Sequence, residues 1–76
     1  MYEVLKNIIV EVLQLDADDV RPAASREDVG LDSISIVELS MTLSKRYGID
    51  ITDEELLESD TMADIARLME KRAASV

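Results

Sequence analysis

Cysteine, histidine, phenylalanine and tryptophan are absent from this chain of 76 residues, which contains two glycines and one proline. Without cysteine the chain has neither a disulfide framework nor a thiol nucleophile of its own. Without histidine it lacks the commonest general base and the commonest metal ligand. The few glycines and prolines leave little turn chemistry for a many-stranded sheet, so we expect helices. We therefore predict no catalytic residue and no metal site.

Long apolar runs are missing as well, and the charge is strongly of one sign. No apolar run has the length of a membrane span, and no signal-peptide pattern is present, so we expect a cytoplasmic protein. The net charge is −9, and residues 27–60 alone contain ten acids and two bases. Such a surface repels nucleic acid and attracts partners that carry a basic patch. The length predicts one domain, residues 1–76, which we expect to be a monomer.

Hydrophobic periodicity predicts the first helix over residues 3–14. Its stripe consists of six aliphatic residues: Val4, Leu5, Ile8, Ile9, Val12 and Leu13. Residues 15–31 show no period and are predicted to form a long ordered loop. Four apolar residues are available to attach this loop to the core: Leu15, Val20, Val29 and Leu31.

The second helix is predicted over residues 33–47, with Gly48 just beyond its end. One apolar face is predicted to point inward and comprises Ile36, Leu39, Leu43 and Tyr47. A second stripe, hereafter the outer stripe, lies on nearly the opposite side and comprises Ile34, Val37 and Met41. Three apolar residues there indicate either a small docking surface or a face covered by another segment.

Capping boxes predict the last two helices. Thr52 with Glu55 begins a short helix that ends near Ser59. Thr61 with Asp64 begins a longer helix, whose apolar positions are Met62, Ile65, Ala66, Met69 and Ala73.

Ser33 is the candidate modification site, because it follows Asp32 at the start of the second helix. With Asp32 as the N-cap, the free N–H groups and the positive end of the helix dipole suit a phosphate on that serine. On spacing alone, however, a serine at a helix start more often serves only as a cap.

Three other interpretations of the sequence are less favoured. Asp16, Asp18 and Glu27 match ligand positions of an EF-hand loop, but Arg21 stands where that loop needs glycine. Only weak cation binding by Asp16, Asp18 and Asp19 is left open. A small acidic adaptor or a DNA mimic fits the charge, but neither needs an exposed serine beside an apolar stripe. A hydrolase is disfavoured because Ser33 has no histidine, and no evident lysine, to activate it.

The chain resembles the acyl carrier proteins and the related free-standing peptidyl carrier proteins over nearly its full length. The resemblance is carried by Gly30-Leu31-Asp32-Ser33-Ile34, by Val37-Glu38-Leu39 and by the segment YGIDITDEE at residues 47–55. It implies an all-α four-helix bundle, with three longer helices, one short helix and a long first loop. It also implies a 4′-phosphopantetheine arm on Ser33, installed from coenzyme A by a phosphopantetheinyl transferase. The thiol of that arm carries acyl or aminoacyl groups as thioesters.

In this family the second helix and the acidic face dock onto basic patches of loading, condensing and modifying enzymes. By position, the resemblance assigns this role to Asp32, Ile34, Val37, Glu38 and Met41, with Glu54 and Glu55 secondary. The chain departs from fatty-acid carriers at Ser44-Lys45-Arg46, where acids are usual, and at Thr52, where proline is common. Both departures resemble carriers of polyketide or other specialised pathways, although fatty acid synthesis stays open.

Overall fold

The computed structural model describes residues 2–74, and these residues are mostly helical. α1 (Tyr2–Asn7) continues without a break into a π-helical segment, Ile8–Val12. The connection that follows contains a 3₁₀ turn, Ala17–Asp19, and the short helix α2 (Arg26–Val29). The remaining helices are α3 (Ser33–Tyr47), α4 (Asp53–Glu58) and α5 (Met62–Ala74). Within the described residues there is no strand, only an isolated bridge between Ser25 and Thr61. The predicted all-α bundle is confirmed, and α2 is an addition to it.

The first helix ends differently from an ordinary α-helix. The N–H of Leu13 donates to the carbonyl of Ile8 at 3.1 Å, and the N–H of Leu15 donates to that of Ile9 at 3.1 Å. Both bonds reach further back along the chain than the i to i−4 bonds of an α-helix. Between them lies Gln14, whose φ of 57° is a left-handed conformation that glycine would adopt more readily. The predicted span, residues 3–14, was therefore nearly correct, whereas its helix type was not foreseen.

The long connection was predicted to be an ordered loop, and one part of it is the helix α2. Ser25 Oγ accepts from the N–H of Asp28 at 3.2 Å, and the Asp28 carboxylate accepts from the N–H of Ser25 at 3.2 Å. Gly30 ends the helix at a φ of 88°, and the N–H of Leu31 donates to the Arg26 carbonyl at 2.8 Å. The capping box and the following glycine are both readable in the sequence, so this helix was predictable.

The core is almost entirely aliphatic, as the shortage of aromatic residues requires. Among the described residues no polar or charged side chain is buried. The loop residues Val20, Val29 and Leu31 are buried and Leu15 packs against the core, which confirms the predicted attachment of the connection. The largest fully buried side chains come from α1, its π-helical extension, α3, α4 and α5: Leu5, Ile9, Ile36, Leu39, Leu43, Leu56, Met62, Ile65 and Met69.

The inward placement of Tyr47 was wrong, since its side chain is 46% exposed. Tyr47 is the last residue of α3, and the chain turns at Gly48, whose φ is 65°. This turn brings Ile49 beneath the helix, where its N–H donates to the Leu43 carbonyl at 3.0 Å. Ile49 is buried and takes the core position that helical spacing assigned to Tyr47, while the phenol remains in water.

Two arginines hold α4 at opposite ends. Arg72 of α5 pairs with the Glu55 carboxylate in the first turn of α4 and also donates to the Asp50 carbonyl at 3.0 Å. Arg26 of α2 donates to the Leu57 carbonyl at 2.8 Å and to the Ser59 carbonyl at 3.3 Å. A cation at the carboxyl end of a helix is favoured by the helix dipole. Both contacts join residues that are distant in sequence, so no local pattern predicted them.

α3 is capped at both ends. Asp32 Oδ1 accepts from the N–H of Ser35 at 2.8 Å, which makes Asp32 the N-cap, as predicted. At the other end the N–H of Gly48 donates to the Leu43 carbonyl. The bond from the Ser35 N–H, followed by one from its side chain, lowers the pKa of Asp32 below its ordinary value.

The two faces of α3 are expected to respond differently to substitution. Leu43→Ala should cost about 2–5 kcal/mol of unfolding free energy, because it leaves a cavity among fully buried side chains. Val37→Asp should cost less than about 0.5 kcal/mol, because Val37 lies on the surface. Urea denaturation of both variants beside wild type measures this contrast. Equal losses would contradict the assignment of the faces.

Acid should weaken the cap of α3. Because the folded-state pKa of Asp32 is depressed, its stabilising contribution is present above the unfolded value of about 3.9 and is lost as the pH falls through the folded value. Asp32→Asn keeps an acceptor for the Ser35 N–H but removes this titration. Thermal melts from pH 7 down to pH 3 should therefore show a smaller loss for the variant than for wild type. Equal losses of melting temperature in Asp32→Asn and in wild type would mean that the titration of Asp32 does not contribute to stability.

Candidate functional site

The hydroxyl of Ser33 is exposed at the first residue of α3 and makes no hydrogen bond with any described residue. The adjacent cap leaves it free, because the Asp32 carboxylate is directed to the N–H of Ser35. The N–H groups of the first turn that precede Ser35 have no partner inside the helix. An oxygen attached to Ser33 is therefore surrounded by backbone donors and the positive end of a helix of 15 residues.

The other serines of α3 are engaged. Ser40 Oγ donates to the Ile51 carbonyl at 2.7 Å, and Ser44 Oγ donates to the Asp50 carboxylate at 3.1 Å. Ser35 is half-buried, and its N–H donates to Asp32 Oδ1 at 2.8 Å. Ser33 is thus the one serine of α3 whose hydroxyl is both exposed and free of hydrogen bonds.

The outer stripe lies open on the same helix. Ile34 is 71% exposed, Val37 42% and Met41 48%. The alternative that a loop or the short helix covers this stripe is therefore excluded for the described chain. From Ile34 to Met41 the stripe extends about 10 Å along the helix axis, and it begins beside Ser33.

The charges around the outer stripe are unevenly distributed. The side chains of Asp32 and Glu38 are exposed near its amino-terminal half. Glu54 is also exposed. Glu55, in contrast, is half-buried, belongs to the capping box of α4 and pairs with Arg72. The hydrogen bond from Arg72 is the main cause of the lowered pKa of Glu55. Of the two secondary docking acids named from the sequence, only Glu54 has a fully available carboxylate.

A shallow groove runs beside the carboxyl-terminal half of the outer stripe. Its two apolar lining residues are Val12 and Met41, and four further residues line it: Glu38, Thr42, Lys45 and Arg46. Lys45 and Arg46 are exposed and make no ion pair with a described residue. Sequence reasoning identified the stripe but not the groove, because Val12 comes from a different helical segment.

Other kinds of site find no support in the described chain. Residues 2–74 contain no group of three or more acidic side chains arranged to hold a metal ion, and the EF-hand had already been rejected from the sequence. No helix among these residues has the length and apolar character needed to cross a bilayer.

A phosphodiester fits at Ser33 on three observations. The oxygen is open to solvent, the neighbouring backbone N–H groups favour negative charge, and the Asp32 carboxylate is already occupied by a donor. Ser33, with the first turn of α3, would hold the phosphate of a phosphopantetheine group.

Comparison with known proteins agrees with this geometry. The family described as "phosphopantetheine attachment site" matches residues 3–69. An acyl carrier protein of Bdellovibrio bacteriovorus is 41% identical over 69 residues, which cover 90% of this chain and 88% of the relative. An acyl carrier protein of Helicobacter hepaticus is 37% identical over 70 residues, which cover 91% of this chain and 92% of the relative. The chain therefore belongs to the acyl carrier protein family and is a non-catalytic carrier with a covalently bound 4′-phosphopantetheine group.

Proposed function

We propose that residues 1–76 form one carrier domain whose 4′-phosphopantetheine is attached to Ser33 by a phosphopantetheinyl transferase. The arm supplies a thiol that carries acyl or aminoacyl groups as thioesters between biosynthetic enzymes. The observation that carries this proposal is the exposed, unbonded hydroxyl of Ser33 at the capped start of α3. The cytoplasmic location and the monomeric state stay predictions from the sequence.

The attachment step is a phosphoryl transfer. Ser33 Oγ attacks the phosphorus of coenzyme A that bears the pantetheine, and a new P–O bond forms. The bond from this phosphorus to the bridging pyrophosphate oxygen breaks, and adenosine 3′,5′-bisphosphate leaves. The proton of the serine hydroxyl passes to a base of the transferase or to water, because no described side chain of the carrier is bonded to that hydroxyl.

Docking is proposed to occur on the outer stripe and the acids beside it. Ile34, Val37 and Met41 supply an apolar contact, and Asp32 and Glu38 supply its acidic border. A partner with an apolar centre and a basic rim complements this surface. Glu54 extends the acidic border. Glu55 contributes less to it, because its carboxylate is paired with Arg72.

Lys45 and Arg46 support a specialised pathway, such as polyketide synthesis, over fatty acid synthesis. Both are exposed, and they are the only basic residues of the segment 27–60, whose other charged residues are all acidic. They place positive charge at the carboxyl-terminal end of the docking helix, where a uniformly basic partner surface would be repelled. A partner of this chain is therefore proposed to present an acidic group opposite that end. The proposed difference between the two kinds of pathway therefore rests on the charges of the docking surface and not on the fold.

Loading of Ser33 is the first test of the proposal. Wild type incubated with coenzyme A and a broad-specificity transferase should gain the mass of one phosphopantetheine arm. Ser33→Ala should gain none and should melt like wild type, because the exposed hydroxyl of Ser33 makes no hydrogen bond with a described residue. Ser35→Ala is the matched control and should still be loaded. Loading of Ser33→Ala at the wild-type rate would contradict the assigned site.

The outer stripe is tested by a charge placed in its centre. Val37→Asp should slow loading at least about fivefold, because the partner must desolvate a carboxylate in an apolar contact. Leu57→Asp places the same charge on an equally exposed apolar residue of α4, 45% exposed, and should change the rate little. Loading kinetics of both variants measure the effect. Equal rates in the two variants would remove the stripe from recognition.

A further inference from the structure

The methionines of this chain differ sharply in exposure. Met62 and Met69 of α5 are fully buried, with 0% of their surface exposed, whereas Met41 of α3 is 48% exposed. Before the arm is attached the chain has no thiol, imidazole or indole that would react with an oxidant first. Exposure controls how fast an oxidant reaches a thioether. Among the described residues, Met41 is therefore the side chain that a mild oxidant would modify.

Met41 also occupies a sensitive place on the surface. It is the last residue of the outer stripe, and Met41 and Val12 are the two apolar residues that line the groove beside Lys45 and Arg46. Its flexible thioether suits an apolar contact that must adapt to several partners. Oxidation replaces this apolar side chain with a polar sulfoxide at the carboxyl-terminal end of the outer stripe.

We propose that Met41 is an oxidation site at which hydrogen peroxide reversibly weakens docking of the carrier. The sulfur lone pair attacks one peroxide oxygen, an S–O bond forms and the O–O bond breaks. Sulfur is oxidised by two electrons, peroxide is reduced, and one water leaves for each sulfoxide formed. Methionine sulfoxide reductase, with a thiol reductant, removes the oxygen again.

The consequence is expected in docking and not in folding. In the free protein the sulfoxide of Met41 stays hydrated, so the packing of the core does not change. In a docked complex the same oxygen must lose part of its hydration where the partner covers the outer stripe, and this cost weakens the complex. This second step rests on the proposed function, since it assumes that partners cover the outer stripe. The selective oxidation of Met41 does not depend on that assumption.

The experiment uses the full chain without its arm, so that no arm thiol competes for the oxidant. After limited treatment with hydrogen peroxide, tryptic digestion separates the methionines into the peptides 1–6, 27–45, 47–67 and 68–71. Oxygen should appear in peptide 27–45 well before it appears in peptides 47–67 and 68–71. Met1 lies outside the described residues, and its peptide is read separately. Oxidation of the two α5 peptides at the rate of peptide 27–45 would overturn the proposal.

The functional consequence is measured as the loading rate before and after oxidation. Wild type with Met41 sulfoxide should load at least about fivefold more slowly, while its melting temperature stays unchanged. Reductase treatment should restore the rate. The Met41→Leu variant is the control, and its loading rate after peroxide treatment is compared with its own rate before treatment. The two rates should be the same. Unchanged loading of the wild-type sulfoxide would overturn the proposal. If untreated wild type is not loaded at all, the proposed function fails, and the peptide map still decides whether Met41 is the oxidation site.

Discussion

The inward face of α3 is the constraint on which the rest of the structure depends. Ile36, Leu39 and Leu43 are at most 1% exposed, and each contributes about 1.5–3 kcal/mol by leaving water. In a chain of this length, without phenylalanine or tryptophan, the core is small and these three residues are a large part of what α3 contributes to it. Burying these three residues sets the rotation of α3 about its axis. The same rotation exposes Ser33 and the outer stripe, so the packing of the core determines where the functional surface lies.

The charge of the chain is tolerated because it lies outside this core. No charged side chain among the described residues is buried, and the arginines that matter for the fold act at helix ends. Arg72 and Arg26 hold the two ends of α4 through one carboxylate and three backbone carbonyls. These contacts occupy Glu55 but leave the exposed carboxylates of Glu38 and Glu54 unpaired in the described chain. Lys45 and Arg46 give α3 exposed charges of both signs, which in the proposed docking role is a basis for choosing among partners.

Most of the fold follows from local sequence signals. The range of α3 and its N-cap Asp32 were predictable because apolar spacing, a capping residue and a terminal glycine agree there. The exposure of the outer stripe followed from the same spacing. Tyr47 was misplaced because periodicity assumes that the helix continues, whereas the turn at Gly48 gives the core position to Ile49. The π-helical segment and the arginine contacts depend on packing between distant parts of the chain, which no local pattern records.

The central claim is that Ser33, and no other hydroxyl of α3, receives the phosphopantetheine arm. Tandem mass spectrometry of the wild-type chain, isolated after co-expression with a broad-specificity transferase, tests it most directly. Tryptic peptide 27–45 contains all four serines of α3, and its fragment ions distinguish them. The account predicts one arm per chain, on Ser33. An arm on Ser35, Ser40 or Ser44, or a chain that remains unmodified beside a control carrier that is loaded, would contradict it.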